Sequence, residues 1–343
     1  MASPAVDVQD LSKVFRTPVR PGGMRNAVRQ LVRSAHREVH AVRDLSLSIA
    51  PGERVAFVGP NGAGKSTTIK ILSGILHPSG GRARVLGLTP WEDREALGFG
   101  IGTVFGQRSR LWLHLPATDT FDLLARVYDL DRSDYRRRRN ALVDAFGLGD
   151  LVTKPARQLS LGERMRCELV ACLLHAPRIL FLDEPTIGLD VVAKAALREL
   201  IRDQSDREGT TILLTSHDTS DMERVCGRVL VINHGALLVD RAVADLRRTY
   251  LRRKVVTVLT EEERIDISIP GVSVVAREPH RTVFEVESDE ASIEAVVRAV
   301  LGASRLQDLT VEDPPMDEII QAIYRDTGTP AAMPPVSAPG GVP

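Results

Sequence analysis

Apolar positions set the rhythm of this chain, and the rhythm changes several times along it. Val6 to Phe15 reads as a strand that breaks at Pro18, Pro21, Gly22 and Gly23. Beyond the break, Met24, Ala27, Val28, Leu31, Val32 and Ala35 recur at helical spacing, and Arg25, Arg29, Arg33 and Arg37 form a basic stripe beside them. Leu45, Leu47 and Ile49 alternate with serines up to Pro51-Gly52, a strand followed by its turn. Val55 to Val58 is a short β-rich run entering a glycine loop. From Thr118 to Leu174 the pattern is mostly helical: Phe121, Leu124, Ala125 and Tyr128 share one stripe, and Ser133 is placed to cap a helix that ends at Gly147. Ile179 to Leu182, Thr211 to Leu214 and Val229 to Ile232 are apolar runs separated by helical patterns. That alternation predicts an α/β layer with a largely parallel sheet, and Asn233 to Gly235 reads as the turn of a terminal hairpin.

The character changes near Arg252. Val255 to Leu259, Ile265 to Ile269 and Thr282 to Val286 predict short strands. A helix over about Asp289 to Leu301 buries Ile293, Val296, Val297, Val300 and Leu301 and closes at Gly302. A strand from Leu306 to Val311 and a helix from Met316 to Tyr324 complete a small α+β domain. From Thr327 the chain is Pro, Gly, Ala and Val without period, which predicts a disordered tail.

Composition narrows the function. At 343 residues the chain is long enough for one large domain and a smaller one. Lys and Arg number 45, as do Asp and Glu, so no global field draws the protein to nucleic acid or anionic lipid. The longest apolar run, Leu169 to Leu174, falls far short of the ~20 residues of a membrane-spanning helix. Asp7, Asp10 and Lys13 interrupt any secretory pattern near Met1, and three irregularly spaced cysteines make neither a disulfide scaffold nor a zinc site. A reduced, cytosolic protein is expected, with any membrane role arising through a partner.

The chemistry concentrates in two places. Gly59-Pro-Asn61-Gly62-Ala63-Gly64-Lys65-Ser66 fits G-x-x-x-x-G-K-[ST], after a strand run and before the helical run from Thr67 to Leu72. Glycines there let successive backbone N–H groups turn toward phosphate oxygens, and the following helix aims its positive end at them. Lys65 then reaches the β/γ oxygens and Ser66 coordinates Mg²⁺. Downstream, Ile179-Leu-Phe-Leu-Asp183-Glu184 is an apolar strand ending in two carboxylates. An Asp-Glu pair alone reads as a solvated strand end. In a chain with a phosphate loop, the first carboxylate can hold Mg²⁺ and the second can polarise an attacking water.

Together the phosphate loop, Gln107, Leu159-Ser160-Leu161-Gly162-Glu163, Asp183-Glu184-Pro185-Thr186, Gly188-Leu189-Asp190 and His217 resemble an ABC-transporter ATP-binding subunit, over about Val6 to Asp240. The resemblance implies a P-loop ABC ATPase cassette, an α/β fold with a RecA-like core and a helical subdomain over about 108–176. It would occupy 1–248 with a basic insert at about 16–40, followed by a small α+β domain at 249–326 and a tail at 327–343. It implies ATP and Mg²⁺ as cofactors, and an integral-membrane permease and a second copy of the chain or a related cassette in a head-to-tail dimer as partners, without nucleic acid. It places the protein at the cytoplasmic face of the membrane.

For individual residues it implies that Glu184, His217 and Gln107 serve catalysis, with Gln107 also touching Mg²⁺ beside Ser66 and Asp183. Gly59, Asn61, Gly62, Ala63, Gly64, Lys65, Ser66 and Thr67 would bind nucleotide. Phe15 would stack on adenine, with Val42 in the same binding set. Ser160, Gly162 and Glu163 would face the γ-phosphate held by the other subunit, and Asp190 would link the two sites. Leu161 stands where Gly is usual and Glu163 where Gln is usual, adding bulk and a negative charge. The Arg-rich insert, Leu159 to Arg166 and Thr310 to Ile319 look most like bacterial exporter subunits of the daunorubicin and viologen resistance type. A non-transport ABC ATPase on ribosomes or nucleic acid, an importer, and a different P-loop enzyme such as a kinase are the competing readings.

Overall fold

A computed structural model describes residues 3–18, 36–106, 109–216, 218–250, 253–287, 290–313 and 316–326. Most of the Arg25 to Arg37 stripe, Gln107, His217 and the tail from residue 327 lie outside the described residues. Two compact units divide the chain, one running to Asp240 and the other beginning at Arg241. Among the described residues, no helix is long and apolar enough to cross a membrane.

The first unit opens with strands β1 (Val6–Pro18), β2 (His36–Ile49) and β3 (Arg54–Val58), helix α1 (Lys65–Leu72) and strand β4 (Gly80–Val85). Helix α2 (Arg94–Gly100), strand β5 (Ile101–Phe105), and helices α3 (Ala117–Val127), α4 (Arg132–Ala145) and α5 (Leu161–Leu173) follow. Strand β6 (Ile179–Asp183), helix α6 (Val191–Glu208), strand β7 (Thr211–Ser216), helix α7 (Thr219–Val225) and strands β8 (Arg228–Asn233) and β9 (Ala236–Ala242) complete it. Strands β5, β6, β7, β3, β8 and β9 form one sheet in that order, with β5 through β8 parallel. Parallel strands are covered on both faces, so they read as unbroken apolar runs. Ile179, Phe181 and Leu182 of β6 are accordingly 0% exposed. A second, antiparallel sheet of order β2-β1-β4 alternates instead: Val6, Val8 and Leu11 point inward while Gln9 and Asp10 face out.

Several expectations need correction. Arg37, read as part of the basic stripe, is in strand β2 opposite Thr17, because the β1–β2 ladder runs out to Pro18 opposite His36. Helix α4 is capped by Asp131, whose side chain accepts from the amides of Ser133 and Asp134, rather than by Ser133. Strand β5 carries no apolar alternation strong enough to announce it; pairing with β6 makes it a strand.

In the second unit, helix α8 (Val243–Tyr250) precedes strands β10 (Arg253–Thr260), β11 (Val272–Glu278) and β12 (Arg281–Glu287). Helix α9 (Ile293–Ala303), strand β13 (Leu306–Glu312) and helix α10 (Met316–Asp326) follow. The sheet runs β11-β12-β10-β13, all antiparallel, around Val256, Val258, Phe284, Val286, Val296 and Val300. Ile265 to Ile269 is not a strand. Among the described residues the segment has no ladder partner, yet it seals Ile265 into this core at 2% exposure. Leu301, expected inside, is 57% exposed, and Gly302 lies within α9 instead of closing it.

Phe181→Ala empties a site at the centre of the parallel sheet and is expected to lower stability by about 3–5 kcal/mol in urea denaturation. His175 stacks on Tyr128 with ring centroids 3.9 Å apart, and burial pulls its pKa from the ordinary 6.5 to about 4. The folded state thus keeps His175 neutral where the unfolded chain takes up a proton. Its contribution is complete above 6.5 and is lost as pH falls toward about 4. Replacing it by Phe is expected to flatten the dependence of the urea midpoint on pH over that window.

Candidate functional site

The loop from Gly59 to Gly64 joins β3 to the first turn of α1 and is shaped by close backbone approach. A Cβ on Gly59 would sit 2.6 Å from the carbonyl oxygen of Ile232. Gly64 has φ +106°, and a Cβ there would lie 2.2 Å from the carbonyl oxygen of Ala41. Only glycine meets both the torsion and the space. The resulting curve sets Lys65 and Ser66 at the start of a helix whose Ile69, Ile71 and Leu72 are locked in the core at 0% exposure. Lys65 Nζ donates to the carbonyl oxygens of Gly59 at 2.6 Å and Pro60 at 3.2 Å, folded over its own loop. Burial pulls its ammonium below the ordinary lysine range, while the nearby charges of Glu184 and Asp183 pull the other way.

Strand β6 delivers Asp183 to the same place. Asp183 Oδ1 accepts from Ser66 Oγ at 3.0 Å and from Thr215 Oγ1 at 2.7 Å, tying together the ends of three elements. Glu184 follows with φ +54°, a left-handed torsion unusual for a residue with a Cβ. Its amide donates to the carbonyl oxygen and to Oγ1 of Thr215, each at 3.1 Å, which fixes the torsion. Strain held by its surroundings in this way marks functional loops. Ser66 Oγ and Asp183 Oδ1 are hard oxygen donors side by side, the type that Mg²⁺ takes alongside water and phosphate oxygens, so the residues fit that ion.

Behind the strand ends lies a buried polar network. Asp221, 0% exposed, accepts from Thr186 Oγ1, Ser216 Oγ and Arg198 Nε, each at 2.5 Å. Arg198 Nη2 and Lys194 Nζ both reach Asp218 Oδ2 at 2.9 Å. Burial opposes ionisation of Asp218, but the Lys194 hydrogen bond, the Arg198 charge and the Ser220 amide together outweigh it and hold its carboxyl below the usual range.

The segment Ser160–Glu163 begins helix α5 as a capping box. Ser160 Oγ accepts from the Glu163 amide at 3.3 Å, and the Glu163 carboxylate accepts from the Ser160 amide at 2.8 Å. That amide holds the Glu163 carboxyl below the usual carboxylate range. The extra negative charge is thereby turned back onto its own helix end. Leu161 is exposed and packs toward Gly188, and Gly162 faces Ala193. Asp190 caps α6 by accepting from the Ala193 amide at 2.8 Å. Glu168, farther along α5, accepts from Ser109 Oγ and from the amides of Arg110 at 2.8 Å and Leu111 at 3.3 Å.

The structure therefore brings Lys65, Ser66, Asp183 and Glu184 together, with Gly59 to Gly64 wrapped around them and Asn61 exposed at the loop's crest. Thr67 is half-buried on α1. Phe15, on β1, is 37% exposed with Lys13 Nζ 5.2 Å from its ring centroid. Val42 is a correction: its side chain is 1% exposed and belongs to the core, and the backbone of Ala41 is what borders the loop at Gly64. Thr215, Ser216, Asp221 and Arg198 belong to none of the motifs read in the sequence, and Thr186 enters there only as the end of Asp183-Glu184-Pro185-Thr186. Hydroxyls flanking Glu184 and His217 were the available signal, but isolated Ser and Thr carry no motif.

The family model described as "ABC transporter" matches residues 42–187. The ABC transporter ATP-binding protein NatA of Bacillus subtilis (strain 168) is 34% identical over 208 residues, covering 61% of this chain and 84% of that protein. The daunorubicin/doxorubicin resistance ATP-binding protein DrrA of Streptomyces peucetius is 30% identical over 299 residues, covering 85% of this chain and 89% of that one. A solved ATP-binding subunit of an ABC transporter is similar at TM-score 0.59 and 27% identity, over 72% of this chain and 93% of its own.

Gly64→Ala is expected to weaken binding of a fluorescent ATP analogue by at least about tenfold, because the loop must shift to clear Ala41. Circular dichroism should show the fold retained.

Proposed function

The chain belongs to the ABC transporter family of ATP-binding subunits and is an ATPase of that family; from that premise we propose that it powers a membrane exporter through ATP-driven closure of a cassette dimer. The convergence of Ser66 and Thr215 on Asp183, with Glu184 held beside them, carries this reading.

On binding ATP, the loop amides take the phosphate oxygens and Lys65 exchanges the carbonyls of Gly59 and Pro60 for β/γ oxygens. Ser66 and Asp183, with Gln107, would hold Mg²⁺, which supplies charge neutralisation on the phosphates. Phe15 stacks on adenine. Glu184 accepts a proton from the attacking water as the water oxygen bonds to the γ-phosphorus. The bond to the bridging oxygen breaks, releasing ADP and inorganic phosphate. His217 holds the γ-phosphate.

The site is completed by a second cassette, this chain or a relative. Ser160 and Gly162 of one copy present the positive end of α5 to the γ-phosphate held by the other. Asp190 lies across that interface. One phosphate loop and one signature per chain give two composite sites in a two-fold pair. With the pair held at the cytoplasmic face of the membrane, an integral-membrane permease converts its closing and opening into alternating access. Likeness to the resistance protein along most of both chains favours export, with a drug, lipid or other hydrophobic or cationic solute as cargo.

Glu184→Gln keeps the phosphate contacts and removes the base. It is expected to bind ATP with near-normal affinity, cut hydrolysis by roughly 10²–10⁴-fold, and accumulate as an ATP-bound dimer in size-exclusion chromatography. Wild-type turnover in this variant would remove Glu184 from the role.

A further inference from the structure

The loop that follows β6 and the last residue of β7 are bonded to a single oxygen. Thr186 stands two positions after Glu184, and Ser216 immediately precedes His217. Their hydroxyls donate to the same atom, Asp221 Oδ2, each at 2.5 Å. Oδ1 is engaged by Arg198 Nε, also at 2.5 Å, so the carboxylate is committed on both sides. Asp221 is 0% exposed and Arg198 only 7% exposed. Ser216 Oγ in turn accepts from the amide of Asp218 at 2.9 Å.

A buried ion pair is weak evidence for stability, because desolvation of both charges offsets their attraction and an apolar pair often serves as well. The geometry supplies another reason for a carboxylate at this position. A single charged acceptor with two hydroxyl donors fixes the distance between the loop after β6 and the end of β7, which a non-directional apolar contact does not. Arg198 on α6 and Asp221 on α7 anchor that acceptor to two helices. We propose that Asp221 is a positioning residue for hydrolysis: it holds the Glu184 loop against the carboxyl end of β7 at Ser216, so that the base is set relative to the strand end. This rests on the assignment of Glu184 as base.

The test is steady-state and single-turnover ATP hydrolysis by the full chain, with ATP affinity and melting temperature measured on the same samples. Asp221→Asn removes the charge; Thr186→Val and Ser216→Ala each remove one hydroxyl and leave the ion pair with Arg198 intact. Positioning predicts that kcat falls about tenfold or more in Asp221→Asn and several-fold in each hydroxyl variant, with KM for ATP nearly unchanged. Thr186→Ser, which restores the donor, recovers most of the kcat lost in Thr186→Val. The two hydroxyl variants combine non-additively, since both act through one oxygen. If kcat per folded molecule stays at the wild-type value while melting temperature drops, Asp221 is structural only and the proposal falls. Should Asp221→Asn fail to fold, unchanged kcat in both hydroxyl variants overturns it equally. Glu184→Gln run in parallel separates the two claims. Normal turnover there defeats the base assignment, whereas a stalled Glu184→Gln beside fully active hydroxyl variants defeats only the role of Asp221.

Discussion

Ser66 at the head of one helix and Thr215 near the end of a central strand meet at a single oxygen of Asp183. That meeting depends on where three chain segments stop. Strands β3, β6 and β7 lie side by side and in parallel, so their carboxyl ends fall at one edge of the sheet. Ligands of open α/β sheets bind at that edge, and the reason is visible here: loops from separate parts of the sequence emerge within hydrogen-bonding distance of each other. The apolar faces beneath hold the strands in register, with Phe57 and Phe181 both fully buried. Shifting one strand by a residue would carry Asp183 away from Ser66 and turn its side chain to the other face.

The polar groups at this edge are few and heavily shared. Lys65 is buried yet bonded to its own loop, Glu184 holds a left-handed torsion through two bonds to Thr215, and Asp221 gathers two hydroxyls and a guanidinium. Each group is expensive to bury alone and tolerable because another satisfies it. Geometry set this way costs no rearrangement at the moment of reaction, which is what makes preorganised polar sites effective.

Much of this was readable in the sequence, for reasons that differ by element. The phosphate loop declared itself because its glycines meet steric demands that no other residue meets, and the buried parallel strands did so as apolar runs. Asp183 and Glu184 were legible as the end of such a run. Strand β5, with Gly102 and Thr103 inside it, was not, since neighbouring β6 rather than local preference makes it extended. Ile265 to Ile269 misled in the opposite sense: its alternation fits a strand, but a strand needs a partner and this segment has none among the described residues. Arg37 in β2 shows a third failure, where a four-residue charge spacing continued by chance into a paired strand. The Asp221 network was invisible because its members are common residues, joined only by folding.

The capping box at Ser160 has a consequence for how the proposed pair assembles. The carboxylate of Glu163 already occupies the amide of Ser160, one of the helix-end donors that an arriving anion would use. In the proposed pair, a triphosphate carried by a neighbouring copy would meet a resident rival of its own sign. Engagement would then be an exchange, the side chain letting go as the incoming oxygens take hold, and the threshold for docking would lie in the helix end itself.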